Sequence, residues 1–217
     1  MKLLVRLAGL LSALLLAGCA TEPRTVYDYT KLKDEKPLSI LVLPPLNNSL
    51  AVNAGHSFLS QVTYPLAESG YYVFPVAVVN DLFKHNGMTE PSEIHAVPVE
   101  KLREIFAADA VVYLKITEFG TSYKILTSDT RVTAEARLVS LKTGEELWQG
   151  AATASTAEQQ NTNQSLLGML VTAVIDQVAN TLNDKGHQIA GITSVRLLHA
   201  GGANRLLYGP RAENKEH

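Results

Sequence analysis

The side chains best suited to chemistry in this sequence are one cysteine, Cys19, and six histidines. The histidines lack the spacings that build a zinc site, and a metal shared by His85 and His95 is the weaker alternative. No Gly-x-Ser-x-Gly motif is present, which disfavours a serine hydrolase without excluding an enzyme. We therefore expect a non-enzymatic protein with no metal and no cofactor. The histidines are His56, His85, His95, His187, His199 and His217.

Cys19 stands at the end of an export leader. Lys2 and Arg6 give the leader a positive start, and a largely apolar run follows over residues 7–17. A run of this length engages the export machinery but is too short to span a bilayer core of roughly 30 Å. Residues 1–18 are therefore predicted to be a signal peptide.

The last residues of this leader, Leu16-Ala17-Gly18-Cys19, resemble the lipobox of bacterial lipoproteins. The resemblance implies cleavage between Gly18 and Cys19, and acyl chains such as palmitate on the new N-terminal cysteine. Two or three such chains hold a protein firmly, because each buried CH₂ contributes about 0.8 kcal/mol. The alternative is an unmodified cysteine in an ordinary signal peptide or in a buried N-terminal helix.

The length and the charge of the mature protein limit its domain size and its possible partners. Cleavage before Cys19 would remove 18 of the 217 residues and two positive charges, leaving 199 residues with 17 basic and 21 acidic side chains. Such a chain can hold one domain of about 150 residues with flanking segments, and a domain of that size buries roughly 68–70% of its unfolded surface without disulfides. The mildly acidic balance argues against binding to nucleic acid, which requires clustered lysine and arginine.

Composition divides the mature chain into three parts. Residues 19–37 are polar and charged, and we predict a lipidated N-terminus and a flexible tether with a span of roughly 25 Å. Val26, Tyr27 and Tyr29 are the tether residues that could dock on the rest of the protein. Residues 38–211 are predicted to form one α/β domain, and the charged residues 212–217 a disordered tail.

The first half of this domain alternates strands and helices. Residues 38–43 and 71–76 are apolar runs that end at proline, which indicates buried strands. The helical periodicity between and after them is typical of an α/β arrangement. Helices are predicted at residues 77–85 and 99–107 and around Phe58 and Leu66, where Pro65 should kink or shorten the helix.

The second half favours antiparallel strands. Residues 110–119 form a predicted strand, with residues 120–128 as its weaker hairpin partner. Residues 131–141 alternate strictly between small apolar and polar side chains, so one face of that strand should be buried. A turn at Gly144 then leads into a strand at residues 146–153, which completes a hairpin.

The longest periodic segment comes last. Apolar residues recur every four positions from Leu166 to Leu182, and the pattern predicts a helix that ends at Lys185 and Gly186. Such a helix would cover the sheet. Its alternative role is the seam of a homodimer.

Three segments resemble a known family of bacterial lipoproteins, typified by a genome-derived meningococcal antigen, whose biochemical function is unknown. The Tyr-Pro-Leu and Tyr-Tyr-Val-Phe-Pro sequences are the most specific part, and the resemblance covers almost the whole chain. The segments are residues 39–49 (SILVLPPLNNS), 64–76 (YPLAESGYYVFPV) and 207–211 (LYGPR).

A looser resemblance concerns residues 108–112 and 138–150. They are similar to the α/β domain shared by the TolB N-terminal region, the penicillin-binding-protein activator lipoproteins and the curli-secretion lipoprotein. This similarity implies an α/β (α+β) fold, a single domain with a mixed β-sheet backed by helices. Members of that group tend to form homodimers or envelope assemblies, but a shared fold does not transfer activity.

These observations favour a non-enzymatic outer-membrane lipoprotein that faces the periplasm and binds protein partners in cell-envelope assembly or secretion. The membrane contact would be the lipid on Cys19. Ala20, which follows it, is not aspartate, and this resembles the address of lipoproteins sent to the outer membrane. A homodimer and a structural subunit of a secretion complex are left open.

A different class of function is also open. The protein could bind a small molecule or a glycan, or act as a hydrolase, with a pocket where loop 44–55 meets loop 86–98 beyond the strand ends. A deep apolar pocket with converging charged groups would favour this alternative.

Overall fold

The computed structural model describes residues 27–123, 128–159 and 185–212. Within these ranges, six strands form one mixed sheet in the order β3-β1-β4-β5-β6, with β2 beside β4. The pairs β3–β1, β1–β4 and β2–β4 are parallel, and β4–β5 and β5–β6 are antiparallel. The strands are β1 (Ser39–Val42), β2 (Leu46–Asn47), β3 (Tyr72–Val73), β4 (Ala110–Tyr123), β5 (Ser128–Ser140) and β6 (Glu146–Ser155).

The helices of the described residues lie on both faces of this sheet. They are α1 (Thr30–Glu35), α2 (Ala54–Leu59), α3 (Thr63–Glu68), α4 (Val76–His85), α5 (Pro91–His95), α6 (Val99–Phe106), α7 (Thr156–Gln159) and α8 (Lys185–Leu198). None of them is long and apolar enough to cross a membrane.

The two faces are covered to different extents. On one face, α1, α2, α3 and α8 bury a large core that includes Phe58, Leu66 and Ile189. On the other face, α4, α5 and α6 bury a smaller core around Leu102, which covers the β3–β1–β4 end of the sheet and the C-terminal end of β5. The α/β fold with a mixed sheet backed by helices is therefore confirmed.

The predicted β5–β6 hairpin is confirmed. Four alternate residues of β5 are at most 1% exposed, as the sequence pattern required, and Gly144 supplies a positive φ of 74° in the turn. The polar residues between them lie on the open face, where Lys115 Nζ and Glu135 Oε2 are 3.2 Å apart. The four buried residues are Val132, Ala134, Ala136 and Leu138.

Proline shapes the helices as predicted around Pro65. The helical segment is cut into α2 and α3, with Pro65 in the first turn of α3, where its missing N–H is tolerated. Residues 91–95 were expected in a loop, but they form α5. Pro91 begins that helix and Ile94, 1% exposed, holds it against the smaller core.

Two other expectations are wrong. Residues 120–123 are not a separate hairpin partner, because β4 continues through Tyr123 and pairs with β5, with Thr121 directly opposite Thr130. Residues 185–186 do not end a helix, because they belong to α8, which continues to Leu198 and buries Gly186. The predicted apolar segment from Leu166 to Leu182 lies outside the described residues.

The flexible tether predicted for residues 19–37 is wrong over residues 27–37. These residues pack onto the domain, where Leu32 of α1 is only 4% exposed. Glu35 accepts a 2.6 Å hydrogen bond from the hydroxyl of Ser140, which is fully buried and needs an acceptor. Because this segment is mostly polar, its sequence does not indicate the burial of Leu32 or the hydrogen bond between Ser140 and Glu35.

Candidate protein-binding groove

The predicted lipidation and cleavage residues, Cys19 and Gly18, lie outside the described residues. The loops of the alternative pocket, 44–55 and 86–98, do meet, because His95 Nε2 lies 2.8 Å from the carbonyl oxygen of Pro44. That contact joins the two loops, while three cavities of about 400 Å³ lie elsewhere.

His95 is part of the packing between these loops and β4. Its ring meets the ring of Tyr113 edge-on at 5.2 Å, and the guanidinium of Arg137 lies 5.4 Å from the centre of the Tyr113 ring. Burial lowers the pKa of His95, the hydrogen bond to Pro44 opposes that shift, and the nearby charge of Arg137 adds to it. A partly buried imidazole held in its neutral form serves here as a donor.

A serine and a histidine also meet between α2 and α8. Ser57 Oγ lies 2.9 Å from Nδ1 of His187, and Gln61 Nε2 lies 2.6 Å from Nε2 of the same ring. The imidazole therefore contacts both side chains, and the arrangement joins α8 to α2 and to the residues that follow α2. In the described part of the chain, no three His, Cys, Asp or Glu side chains cluster as metal ligands.

The cavity that combines polar groups with open backbone lies along β6. It has a volume of about 400 Å³ and is lined by residues 148–153 of β6, Arg196 and Leu197 of α8, the loop 203–205, and Tyr27. We call it the β6 groove. Its walls come from four separate parts of the sequence.

The N-terminal segment forms one wall of the β6 groove. The backbone N–H of Tyr27 donates to Asn204 Oδ1 at 3.1 Å, and its hydroxyl accepts from the N–H of Gln149 at 3.0 Å. The hydroxyl of Tyr29 donates to the carbonyl oxygen of Arg205. Burial raises the pKa values of both tyrosines, so the hydroxyls stay protonated near neutral pH.

Trp148 and Gly150 form the floor of the β6 groove. The indole of Trp148 is 1% exposed, and its Nε1 donates to the carbonyl oxygen of Asn204 at 3.3 Å. A Cβ atom at Gly150 would lie only 2.5 Å from this indole, so a side chain there would displace the ring. The glycine therefore lets the tryptophan lie flat along the strand and hold the 203–205 loop.

Within the part of the chain that the structure describes, the outer edge of β6 is open between its two ends. Leu138 is paired with Trp148, and strict alternation turns the backbone of Gln149, Ala151 and Thr153 away from β5. The hydroxyl of Tyr27 takes the N–H of Gln149, and Arg196 donates to the carbonyl oxygen of Thr153 at 2.7 Å. Between these capped ends, the exposed Ala151 presents both of its backbone groups outward.

Two arginines line the β6 groove, and none of its described lining residues carries a carboxylate. Arg196 is already engaged, because its Nη1 lies 2.6 Å from Glu158 Oε2. Among the described residues, the side chain of Arg205 has no ion-pair partner within 4.0 Å.

Comparison with known proteins places this fold in a family. The model of the family described as "Putative lipoprotein GNA1162-like" matches residues 27–211. A lipoprotein of Neisseria meningitidis serogroup B is 48% identical over 203 residues, which cover 94% of each chain. The chain belongs to the GNA1162-like lipoprotein family. This confirms the resemblance drawn from the sequence.

A crystal structure from the GNA1162-like family is similar to this chain. Lipoprotein GNA1162 from Neisseria meningitidis is 54% identical, covers 67% of this chain and 100% of its own, and superposes with a TM-score of 0.55. The family match begins at Tyr27, the first residue that the structure describes. The wall formed by Tyr27 and Tyr29 therefore belongs to the family domain and not to a leader or linker.

Sequence reasoning missed the β6 groove. The available signals were two tyrosines in an otherwise polar segment, and a tryptophan two residues before a glycine in a predicted strand. The tyrosines form one wall of the groove, and the tryptophan and glycine form its floor. Whether wall and floor meet depends on the path of the C-terminal residues, which the periodicity of the sequence does not predict.

Proposed function

We propose that this protein is a non-enzymatic lipoprotein of the outer membrane that faces the periplasm and binds protein partners in envelope assembly or secretion. Membership in a lipoprotein family and the lipobox at Cys19 support the anchor. Tyr27 follows Cys19 by eight residues, which span at most roughly 26–29 Å when extended. This short connection holds the β6 groove near the bilayer surface.

The observation that carries the binding role is the open backbone of β6. Unpaired N–H and C=O groups on a strand edge are a template for pairing with another chain, and proteins usually shorten, charge or cover such edges. Here both ends of the open stretch are capped by side chains while its middle is left exposed. A surface built in this way suits a protein partner better than a small substrate.

The anchor is tested by fractionation of cells. The Cys19→Ala variant should lose its membrane association, because the acyl chains have no thiol to join. The Ala20→Asp variant should keep the anchor and move to the inner membrane in bacteria that sort lipoproteins by this position. Continued tight membrane association of Cys19→Ala, or no change of membrane for Ala20→Asp, contradicts the respective part of the proposal.

The binding role is tested by crosslinking in intact cells. A photoreactive amino acid at Ala151, in the β6 groove, should give a recurrent adduct with an envelope protein. The same amino acid at Lys101, exposed on α6, should not give that adduct. An adduct of twice the protein's mass would identify a second copy as the partner. Equal adducts from both positions, or none from Ala151, would contradict binding through this groove.

A further inference from the structure

We propose that the β6 groove binds an extended, acidic peptide segment, which adds to β6 as a further antiparallel strand. This inference rests on the proposed function and names the chemistry of the partner. It follows from three properties of the groove, which are its free backbone groups, the size of its side chains and its charge.

The backbone fixes the register. Ala151 turns both its N–H and its C=O outward, so a partner residue directly opposite can exchange two hydrogen bonds with it, as in an antiparallel ladder. The outward C=O of Gln149 and the outward N–H of Thr153 then pair with partner residues two positions away on either side. The capped N–H of Gln149 and the capped C=O of Thr153 limit the ladder at its ends. The window therefore holds about five partner residues, two on each side of the central one.

The side chains determine which partner residues fit. Alternate residues of β6 face α8 and the 203–205 loop, and these include Gly150 and Ala152. Ala152 is small, and the indole of Trp148 already fills the space over Gly150, so the partner side chain opposite Gly150 would lie beside that ring. The central partner residue, opposite Ala151, points to the open face of the sheet.

The charge determines what those two side chains carry. The partner side chain opposite Gly150 lies toward the loop that holds Arg205, and the side chain opposite Ala152 lies toward Arg196. Arg196 is shared with Glu158, whereas Arg205 has no ion pair among the described residues. A carboxylate opposite Gly150 would therefore gain a guanidinium partner, and a lysine there would face the positive charge of Arg205.

Strand addition is tested with two capped peptides of seven residues that alternate valine and threonine. One carries glutamate at the two positions that flank its central residue, and the other carries lysine there. Binding to the lipidated protein in detergent micelles is measured by fluorescence anisotropy. We expect the glutamate peptide to bind at least about tenfold more tightly than the lysine peptide.

Two pairs of variants separate backbone pairing from charge. Ala151→Pro removes the outward N–H without touching the ladder with β5, so it should abolish binding, while Ala151→Val keeps the N–H and should bind. Arg205→Glu should lower affinity for the glutamate peptide about tenfold or more, while Arg205→Lys should retain most of it. Circular dichroism must show the same fold for each pair, and an Ala151→Val variant that binds keeps the test valid if Ala151→Pro misfolds.

The outcomes separate this inference from the proposed function. Equal binding of both peptides, or undiminished binding by a folded Ala151→Pro variant, overturns acidic strand addition. If Ala151 still crosslinks to an envelope protein in cells, the proposed function survives that result. Peptide binding as predicted, with no adduct from Ala151 in cells, supports the chemistry of the groove and overturns its use in the envelope.

Discussion

The two edge strands of the sheet, β3 and β6, differ in how far their outward backbone groups are protected. The β3 edge is two residues long, is followed within two residues by Pro75, and is braced by the C-terminal residues. The N–H groups of Gly209 and Arg211 donate to the carbonyl oxygens of Ser69 and Gly70 at 2.7 and 3.2 Å. The β6 edge is ten residues long, and among the described residues nothing pairs with its middle.

This difference suggests that the β3 edge is built for stability and the β6 edge for binding. A short edge beside a proline and a covering segment is protected against pairing with other chains. The long β6 edge lacks these devices over Ala151, although Tyr27 and Arg196 control its two ends. The protected edge serves the fold, and the open edge is available to a partner.

The largest expected effect comes from the floor of the β6 groove. Trp148→Ala should lower the free energy of unfolding by about 3–5 kcal/mol, because a fully buried aromatic side chain is lost and a cavity remains. It should also release the 203–205 loop, which the indole N–H holds through Asn204. Urea denaturation measures the first effect. A loss below about 1 kcal/mol would show that the indole is not packed as described.

The next effect comes from the β3 edge. A Cβ atom at Gly209 would lie 2.7 Å from the carbonyl oxygen of Gly70, so Gly209→Ala should expel the C-terminal residues and cost about 1–3 kcal/mol of unfolding free energy. Gly55→Ala, in a helix with no atom closer than 3.9 Å, is the matched control. Denaturation of both variants should show destabilisation only for Gly209→Ala. Equal stability of the two would contradict the close approach.

The N-terminal wall should show a smaller effect. Tyr27→Phe removes the acceptor of the Gln149 N–H and should cost about 0.5–1.5 kcal/mol, the net value of one hydrogen bond. Amide hydrogen exchange at Gln149 should become faster in this variant. Unchanged exchange would mean that another group covers this end of β6.

The smallest expected effect is the pH dependence of stability caused by His95, which lies on the face of the sheet covered by α4, α5 and α6. Because its pKa is lowered in the folded state, its stabilising contribution is complete above the unfolded pKa of about 6.5 and is lost as the pH falls through the lower folded pKa. The melting temperature should therefore fall between about pH 7.5 and pH 5.5, and His95→Gln should reduce that fall.

The parent protein and His95→Gln are compared in the same series of buffers. A parent protein whose melting temperature rises on acidification, or a His95→Gln variant with the same pH dependence, would contradict the burial of His95.

The sequence predicted those parts of the fold that depend on local patterns. The β5–β6 hairpin follows from strict alternation and from Gly144, and the division of α2 from α3 follows from Pro65. The parallel register of β1 with β4 could not be predicted, because it pairs residues about 70 positions apart through packing on both faces.

The groove depends even more on distant residues. The Tyr27 N–H meets Asn204, which is 177 positions away, and no periodicity in either segment signals that contact. Single buried groups also misled the prediction. Leu32 and Glu35 anchor α1 to the domain, although their surroundings in the sequence are polar enough to indicate a tether.

Amide hydrogen exchange along β6 in the free, lipidated protein tests the open edge most directly. The amides of Ala151 and Thr153 should exchange almost as fast as in an unfolded chain, while those of Gly150 and Ala152, which face β5, should be strongly protected. Protection of Ala151 and Thr153 equal to that of their neighbours would show that the edge is already covered, and would contradict a groove that waits for a partner strand.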